Sequence, residues 1–220
     1  MIWIGGGSFV MGEESGEDAT TVLLTDGFWM SRHPVTATQW GMIMGKFLSR
    51  AKGAQPIAEV SWHDAIDFCN ALTHKFGNLI PDGYKFSLPT EAQWEYCYRL
   101  GNKGLVNNES VRAVIDRMGW YSGNSGGKVQ VVESKNPDGL GMYDMMGNVW
   151  EWCYDGPAER PVGMVVNLVG DVQGNIKNFR GGSWATDVDD GEDFVASTRV
   201  YGPADIKKPW IGFRTCLRKT

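Results

Sequence analysis

The sequence predicts one loop-rich domain of helices and short strands, and two observations carry that reading. Three Ser/Thr capping signatures, each answered three residues later by Gln or Asp, stand at the head of helical runs. Ten tryptophans are scattered among 29 glycines, and large anchoring side chains between tight turns suit modest regular structure. A chain of 220 residues is long enough to bury one sizeable core. It shows no internal repeat, low-complexity tract or linker that would divide it, so residues 1–220 are expected to form a single domain.

The elements follow in order. Thr36 and Gln39 make a capping box for an amphipathic run ending near Gly45. Ser61 and Asp64 open a second helix, whose Ala65, Phe68, Cys69, Leu72 and Phe76 recur at three- and four-residue steps and form one apolar face; Gly77 is expected to end it in the left-handed conformation. Thr90 and Gln93 open a third helix through Leu100, again closed by a glycine, Gly101. From Gly101 to Arg117 the pattern is weak, and Asn107, Asn108 and Glu109 read as a turn. The alternation of Val129 and Val131 predicts a short strand, and Gly156 to Gly174 reads as loop with another.

Composition narrows the function. The net charge of −5 leaves no basic footprint for nucleic acid. No apolar segment approaches the roughly 20 residues that span a bilayer. Ahead of the opening motif there is no charged and apolar leader, so the chain is expected to have lost its leader or to be cytoplasmic. Cys69, Cys97, Cys153 and Cys216 are widely spaced without a Cys-x-x-Cys pair. Four cysteines permit three disulfide connectivities, but two of these sit in helical patterns, where a buried free thiol is the commoner role, and the reduced reading is preferred. Zinc does not suit these spacings. The three histidines, His33, His63 and His74, lack metal-type spacing, and no Gly-x-Ser-x-Gly nucleophile elbow is present.

Long blocks of the chain carry a family resemblance. They are Ile4 to Gly12 (Ile-Gly-Gly-Gly-Ser-Phe-Val-Met-Gly), Pro34-Val35-Thr36, Val60 to Ala65, Ser87 to Tyr96, and Gly141 to Trp152, followed by Arg180-Gly181-Gly182-Ser183-Trp184 and Ile211-Gly212-Phe213-Arg214. In these blocks and their order the chain resembles the formylglycine-generating-enzyme (sulfatase-modifying factor) family. The resemblance implies an α+β fold of the C-type-lectin type: small twisted antiparallel sheets, two principal helices and much irregular loop. It also implies a cysteine pair soon after Gly-Gly-Ser that performs the oxidase chemistry. Thr186 and Gly191 stand at those positions here. A threonine hydroxyl and a glycine hydrogen cannot replace a copper-binding thiolate pair, so no catalytic residue is assigned.

In the family the block from Asp144 to Glu151 supplies a structural calcium site through a carboxylate or amide, two backbone carbonyls and a glutamate. These match Asp144, Gly147, Val149 and Glu151, oxygen donors of the type a hard cation takes. The alternative is that Asp144 and Glu151 cap backbone amides while Trp150 and Trp152 pack inward. No cofactor is required; structural calcium is the possible one. A second acidic cluster, Asp187, Asp189, Asp190, Glu192 and Asp193, fails the EF-hand pattern, since its glycine comes one position early and position twelve is Thr198.

The same scaffold without the cysteines resembles the variable proteins of diversity-generating retroelements. In these, a C-terminal stretch framed by Arg-Gly-Gly-Ser-Trp and Gly-Phe-Arg is rewritten by adenine-directed mutagenesis and displayed as a binding surface. Residues 180–220 are thus the candidate variable region, and between Ala185 and Pro209 only Glu192, Lys207 and Lys208 lie outside the reach of Asn-codon mutagenesis. The expected frame is two strand segments, Arg180–Trp184 and Ile211–Leu217, with Arg199 tying the loop to the body. The expected ligand-binding residues are Ala185, Thr186, Asp187, Asp189, Asp190, Asp193, Phe194, Tyr201, Asp205 and Trp210, aromatic anchors among adaptable polar groups; Trp210, beside Ile211, is equally read as core. The reading is a monomeric, non-catalytic binding protein for a protein or other macromolecule on a cell or host surface, itself displayed on a cell surface or phage particle. The alternative is a divergent oxidase or sulfatase-maturation enzyme.

Overall fold

The computed structural model describes residues 1–12, 19–45, 51–103, 110–188 and 194–219. All three capping boxes form. Thr36 caps α1 (Ala37–Met44), which ends at Gly45 with φ 69°. Ser61 caps α2 (Trp62–Phe76), and Ala65, Phe68 and Cys69 bury its inner face. Thr90 caps α3 (Glu91–Gly101). The two glycines expected to stop the later helices act otherwise. Gly77 stays right-handed (φ −50°, ψ −35°), and the chain tightens into a 3-10 turn over Gly77–Leu79. Gly101 is the last residue of α3, and Asn102 ends the helix. A Cβ at Gly101 would stand 2.1 Å from Asp138 Oδ2, so close approach, not backbone handedness, demands glycine there.

A fourth helix, α4 (Val111–Met118), forms where the sequence pattern looked weak, capped by Ser110. Val114, Ile115 and Met118 bury its inner side. The turn expected at Asn107 to Glu109 lies outside the described residues.

Eleven short strands build three sheets among the described residues. The first has the order β1 (Ile2–Ile4), β4 (Phe28–Met30), β11 (Cys216–Lys219), β5 (Tyr84–Ser87). The second runs β10 (Ile211–Gly212), β6 (Trp150–Trp152), β8 (Ile176–Arg180), β9 (Val200–Pro203), and the third β2 (Gly7–Met11), β3 (Thr20–Leu24), β7 (Gly163–Val166). The architecture is the expected α+β one, with a correction: β10–β6 and β3–β7 are parallel, so two of the sheets are mixed. Parallel neighbours come from distant parts of the chain, and local sequence pattern carries no sign of them.

The strand expected at Val129 and Val131 does not form. The Gln130 backbone instead pairs with the Asn148 side-chain amide, donating at 3.0 Å and accepting at 3.2 Å. Of the two framing strands, β8 ends at Arg180, short of Trp184, and the second is split into β10 and β11 by residues 213–215. The loop from Gly156 to Gly174 holds β7, as expected.

Two apolar clusters fill the body. One gathers β2–β4, α3, α4 and Met142, Met145 and Met146. The other lies between α1, α2 and the second sheet, where Trp40 stacks on Phe68 at 5.5 Å and Trp152 meets Phe179 edge-on at 5.2 Å. The four cysteines are free and buried, in line with the reduced reading. Among the described residues no helix is long and apolar enough to cross a membrane.

Buried carboxylates make the fold sensitive to pH. Burial pushes Asp144 and Asp155 up to about 6, so between pH 6 and 4 the folded chain holds protons that the unfolded chain has released. Stability therefore rises as pH falls through that window, by up to about 3 kcal/mol for each group. Asp64 opposes this only at lower pH. Burial raises it, but bonds from Lys207 and Ser61 outweigh burial and hold it below its usual value. The melting temperature is expected to climb between pH 7.5 and 5 in a calorimetric series; a flat or falling profile contradicts the assignment.

Candidate ligand-binding surface

The C-terminal stretch is anchored on α3 by charge. Glu91 and Glu95, one helical turn apart and both buried, face the end of β8. Arg180, fully buried, pairs with Glu95, lies 3.5 Å from Glu91, donates to Ala196 O at 2.8 Å and stacks over Trp94. Arg199 reaches Glu91 with two parallel bonds of 2.8 and 2.7 Å, the fork geometry that makes an arginine–carboxylate pair both strong and directional. Arg99 and the Gly12 amide complete the environment of Glu95 at 2.9 and 2.7 Å. The loop is thereby tied to the body by Arg199, as the sequence implies.

After β8 the chain turns through Gly181 and Gly182, with φ of 101° and 76°. A Cβ at Gly182 would stand 2.5 Å from Phe194 Cε1, so both handedness and contact require glycine. Ser183 and Thr186 then lock a tight turn. The Ser183 amide donates to Thr186 Oγ1 at 3.0 Å, the two hydroxyls meet at 3.1 Å, and the Thr186 amide returns to Ser183 O at 3.1 Å. Asp187 accepts from Ser122 Oγ and the Val188 amide.

The return path is fixed as firmly. Phe194 is buried at 1% exposure, its ring edge-on to Tyr121, and its carbonyl accepts from Tyr98 Oη. Ala204 bridges Asn175 and Trp62 through its backbone. Lys207 pairs with Asp64 at 2.6 Å, the Lys208 carbonyl accepts from the Glu59 amide, and the Trp210 carbonyl accepts from the Trp150 amide. Trp184 Nε1 donates to Pro209 O at 3.1 Å, joining the two ends of the stretch.

This geometry sorts the expected binding residues. Ala185, Asp187, Tyr201 and Asp205 are exposed, Tyr201 at 60%. Thr186 and Phe194 are corrected to interior positions: the first spends its hydroxyl within the turn, and the second fills the space that Gly182 leaves. Trp210 is half-buried against the second core. Asp189, Asp190 and Asp193 lie outside the described residues. Sequence reasoning missed Trp184 as a surface group. It remains partly exposed beside Ala185, and its place directly after the Gly-Gly-Ser turn was the available signal.

In the block from Asp144 to Glu151 both carboxylates accept hydrogen bonds from the protein. Glu151 accepts from Arg214 Nε at 2.6 Å and Nη2 at 2.7 Å, and from Trp94 Nε1 at 2.8 Å. Burial disfavours the Arg214 charge, yet Glu151 more than compensates and holds its pKa above the usual value. Both Glu151 oxygens are thus turned on a guanidinium. Asp144 accepts from the Glu133 amide and from Asn148 Nδ2. The block also supports the turn: the Gly147 amide donates to Gly181 O at 2.6 Å, and Asn148 O accepts from the Trp184 amide at 2.9 Å.

The thiols are poorly disposed to chemistry. Burial pushes Cys216 up to about 12 and raises Cys69, Cys97 and Cys153 well above the usual range, whereas a thiolate is the reactive form. The sequence has no cysteine between Cys153 and Cys216, hence no disulfide-forming pair near the turn.

Comparison with known proteins agrees with this architecture. The family described as the sulfatase-modifying factor enzyme 1-like domain matches residues 1–219. The chaperone protein LppX of Paenibacillus barcinonensis is 30% identical over 203 residues, 70% of this chain and 71% of the relative. The inactive C-alpha-formylglycine-generating enzyme 2 of Mus musculus is 29% identical over 177 residues, 75% of this chain but only 50% of the relative's length. Among solved structures, Treponema denticola variable protein 1 superposes with a TM-score of 0.86 at 27% identity, covering 99% of this chain and 94% of that one.

Proposed function

The chain belongs to the family of sulfatase-modifying factor enzyme 1-like domains, and we propose that it serves there as a non-catalytic binding protein whose diversified surface lies between Ala185 and Trp210. One observation carries the reading: Glu91 and Glu95 clamp Arg180 and Arg199 in a buried ion cluster while Ala185, Asp187, Tyr201 and Asp205 remain exposed. Such a division lets side chains change without loss of the frame. It also keeps the entropic cost of binding low, since the described backbone beside these side chains is held by hydrogen bonds beforehand. Thr186 and Gly191 are the residues that replace the cysteine pair, and the Thr186 hydroxyl is already spent on Ser183.

The ligand in this reading is a macromolecule, bound through Tyr201 as a flat exposed anchor with Asp187 and Asp205 as polar contacts. Likeness to a variable protein supports it, and LppX, named a chaperone, supports a protein as the ligand. Display on a cell surface or phage particle, a single domain over residues 1–220 and a monomeric state belong to the same proposal.

Replacing Asp187, Tyr201 and Asp205 together with alanine tests it. The expected result is a melting temperature within a few degrees of the parent, as for surface changes away from caps and cores, together with loss of binding to the surface of host cells by fluorescence-labelled protein. Collapse of the fold, or unchanged cell binding, contradicts the assignment.

A further inference from the structure

A pocket of about 330 Å3 opens between the β3–β4 turn, the first turn of α3, the segment after β7 and the end of β11. None of the residues assigned above to ligand binding lines it, and its volume is within the range of small-molecule sites. Leu24, Phe28, Leu168 and Val169 form an apolar wall, while Gln93, Arg218 and Lys219 bring polar groups. The carboxylate in the lining, Asp26, is paired with Lys219 at 2.9 Å.

Arg218 has no such partner. Its Nε is shielded from solvent and makes no hydrogen bond, whereas nearly all buried polar groups in folded proteins are paired. Its Cζ stands over the Tyr154 ring at 4.3 Å, a contact that orients a guanidinium without consuming an N–H. On the sheet Arg218 lies directly opposite Lys85 of β5, and like charges so placed weaken a strand pair. Among the described residues no carboxylate pairs with either cation. Gln93 adds a further donor: its Oε1 accepts from the Thr90 amide at 3.0 Å, leaving Nε2 without a partner among the described residues.

We propose that this pocket binds a small organic monocarboxylate, its head group on Arg218 and Gln93 Nε2 and its body against Leu168 and Val169. Unpaired donors and unopposed positive charge select an anionic acceptor, and the planar guanidinium fork matches a carboxylate. The apolar wall selects a carbon skeleton behind that head group. The bound anion also offsets the facing charges of Arg218 and Lys85. The pocket is separate from the C-terminal surface, so either assignment stands or falls without the other.

Isothermal titration of the full chain with benzoate tests the proposal, with benzyl alcohol and inorganic phosphate as controls. The expected result is saturable one-to-one binding of benzoate, at least about tenfold tighter than either control, the scale of a hydrogen bond to a charged group. Arg218→Gln should weaken benzoate by about tenfold or more. Gln93→Glu should do likewise by setting a carboxylate where the donor stood, and it should leave the melting temperature unchanged or higher, because glutamate serves a capping box as well as glutamine. Absence of saturable binding, benzyl alcohol or phosphate binding as tightly as benzoate, or indifference to Gln93→Glu would each overturn it.

Discussion

Arg214→Met is expected to destabilise the fold by about 3–5 kcal/mol, because removing one member of a buried pair strands the other. Arg214 is fully buried, with Nε and Nη2 on Glu151 at 2.6 and 2.7 Å, Nη1 on Ser31 O at 3.1 Å and Nη2 on Tyr143 O at 3.0 Å. Its loss leaves Glu151, 1% exposed, with the Trp94 indole as its remaining side-chain donor among the described contacts. The double variant Arg214→Met with Glu151→Leu should recover much of the loss, since apolar replacement of a whole pair is often neutral. Recovery stays incomplete because the carbonyls of Ser31 and Tyr143 keep no guanidinium. Urea unfolding of the three proteins measures this. A single-variant loss below about 1 kcal/mol, the scale of an exposed pair, would show that Glu151 is not committed to Arg214.

Phe194→Ala should cost about 3–5 kcal/mol, the range for emptying a buried aromatic site, while Tyr201→Ala should stay within about 0.5 kcal/mol. Both aromatics lie in the same polar stretch, and they differ in what surrounds them. Phe194 fits over Gly182 and against Tyr121, and its backbone is held by Tyr98. Tyr201 sits on the edge strand β9, opposite Asn178, with 60% of its surface exposed. Equal costs for the two would contradict the division between frame and display. The contrast also bounds diversification: at Phe194 variation removes core, and at Tyr201 it changes the surface alone.

Local chemistry made much of this scaffold legible. Ser and Thr caps with their answering Gln or Asp residues depend on four consecutive positions, so Thr36, Ser61 and Thr90 were readable without the fold. Gly77 and Gly101 were misread because glycine has two uses, and the one that applies at Gly101 depends on Asp138 approaching from elsewhere in the chain. Helix α4 carried its own signal, Ser110 followed by apolar residues at 114, 115 and 118, but the weak pattern before it obscured the start. The parallel pairings of β3 with β7 and β6 with β10 join segments distant in sequence, beyond any local period.

The candidate surface was legible as a frame and less so as a set of side chains. Arg180 and Arg199 were recognisable from their motif positions, and both anchor on α3. Thr186 and Phe194 looked like display residues because their neighbours are polar, yet a hydroxyl closing a turn and a ring covering a glycine belong to the interior. The acidic–aromatic block at Asp144 to Glu151 suggested oxygen ligands. The arginine that occupies Glu151 lies 63 positions away, and only the folded chain brings the two together.

The measurement that bears most directly on the central claim is sequencing the source locus across many isolates. The account predicts a near-duplicate of the segment encoding residues 180–220 beside a reverse-transcriptase gene. Differences should be confined to template adenines and fall on exposed positions such as Ala185, Asp187, Tyr201 and Asp205, with Arg180, Gly182, Phe194 and Arg199 unchanged. An invariant segment with no template, or variation spread evenly over frame and surface, would contradict it.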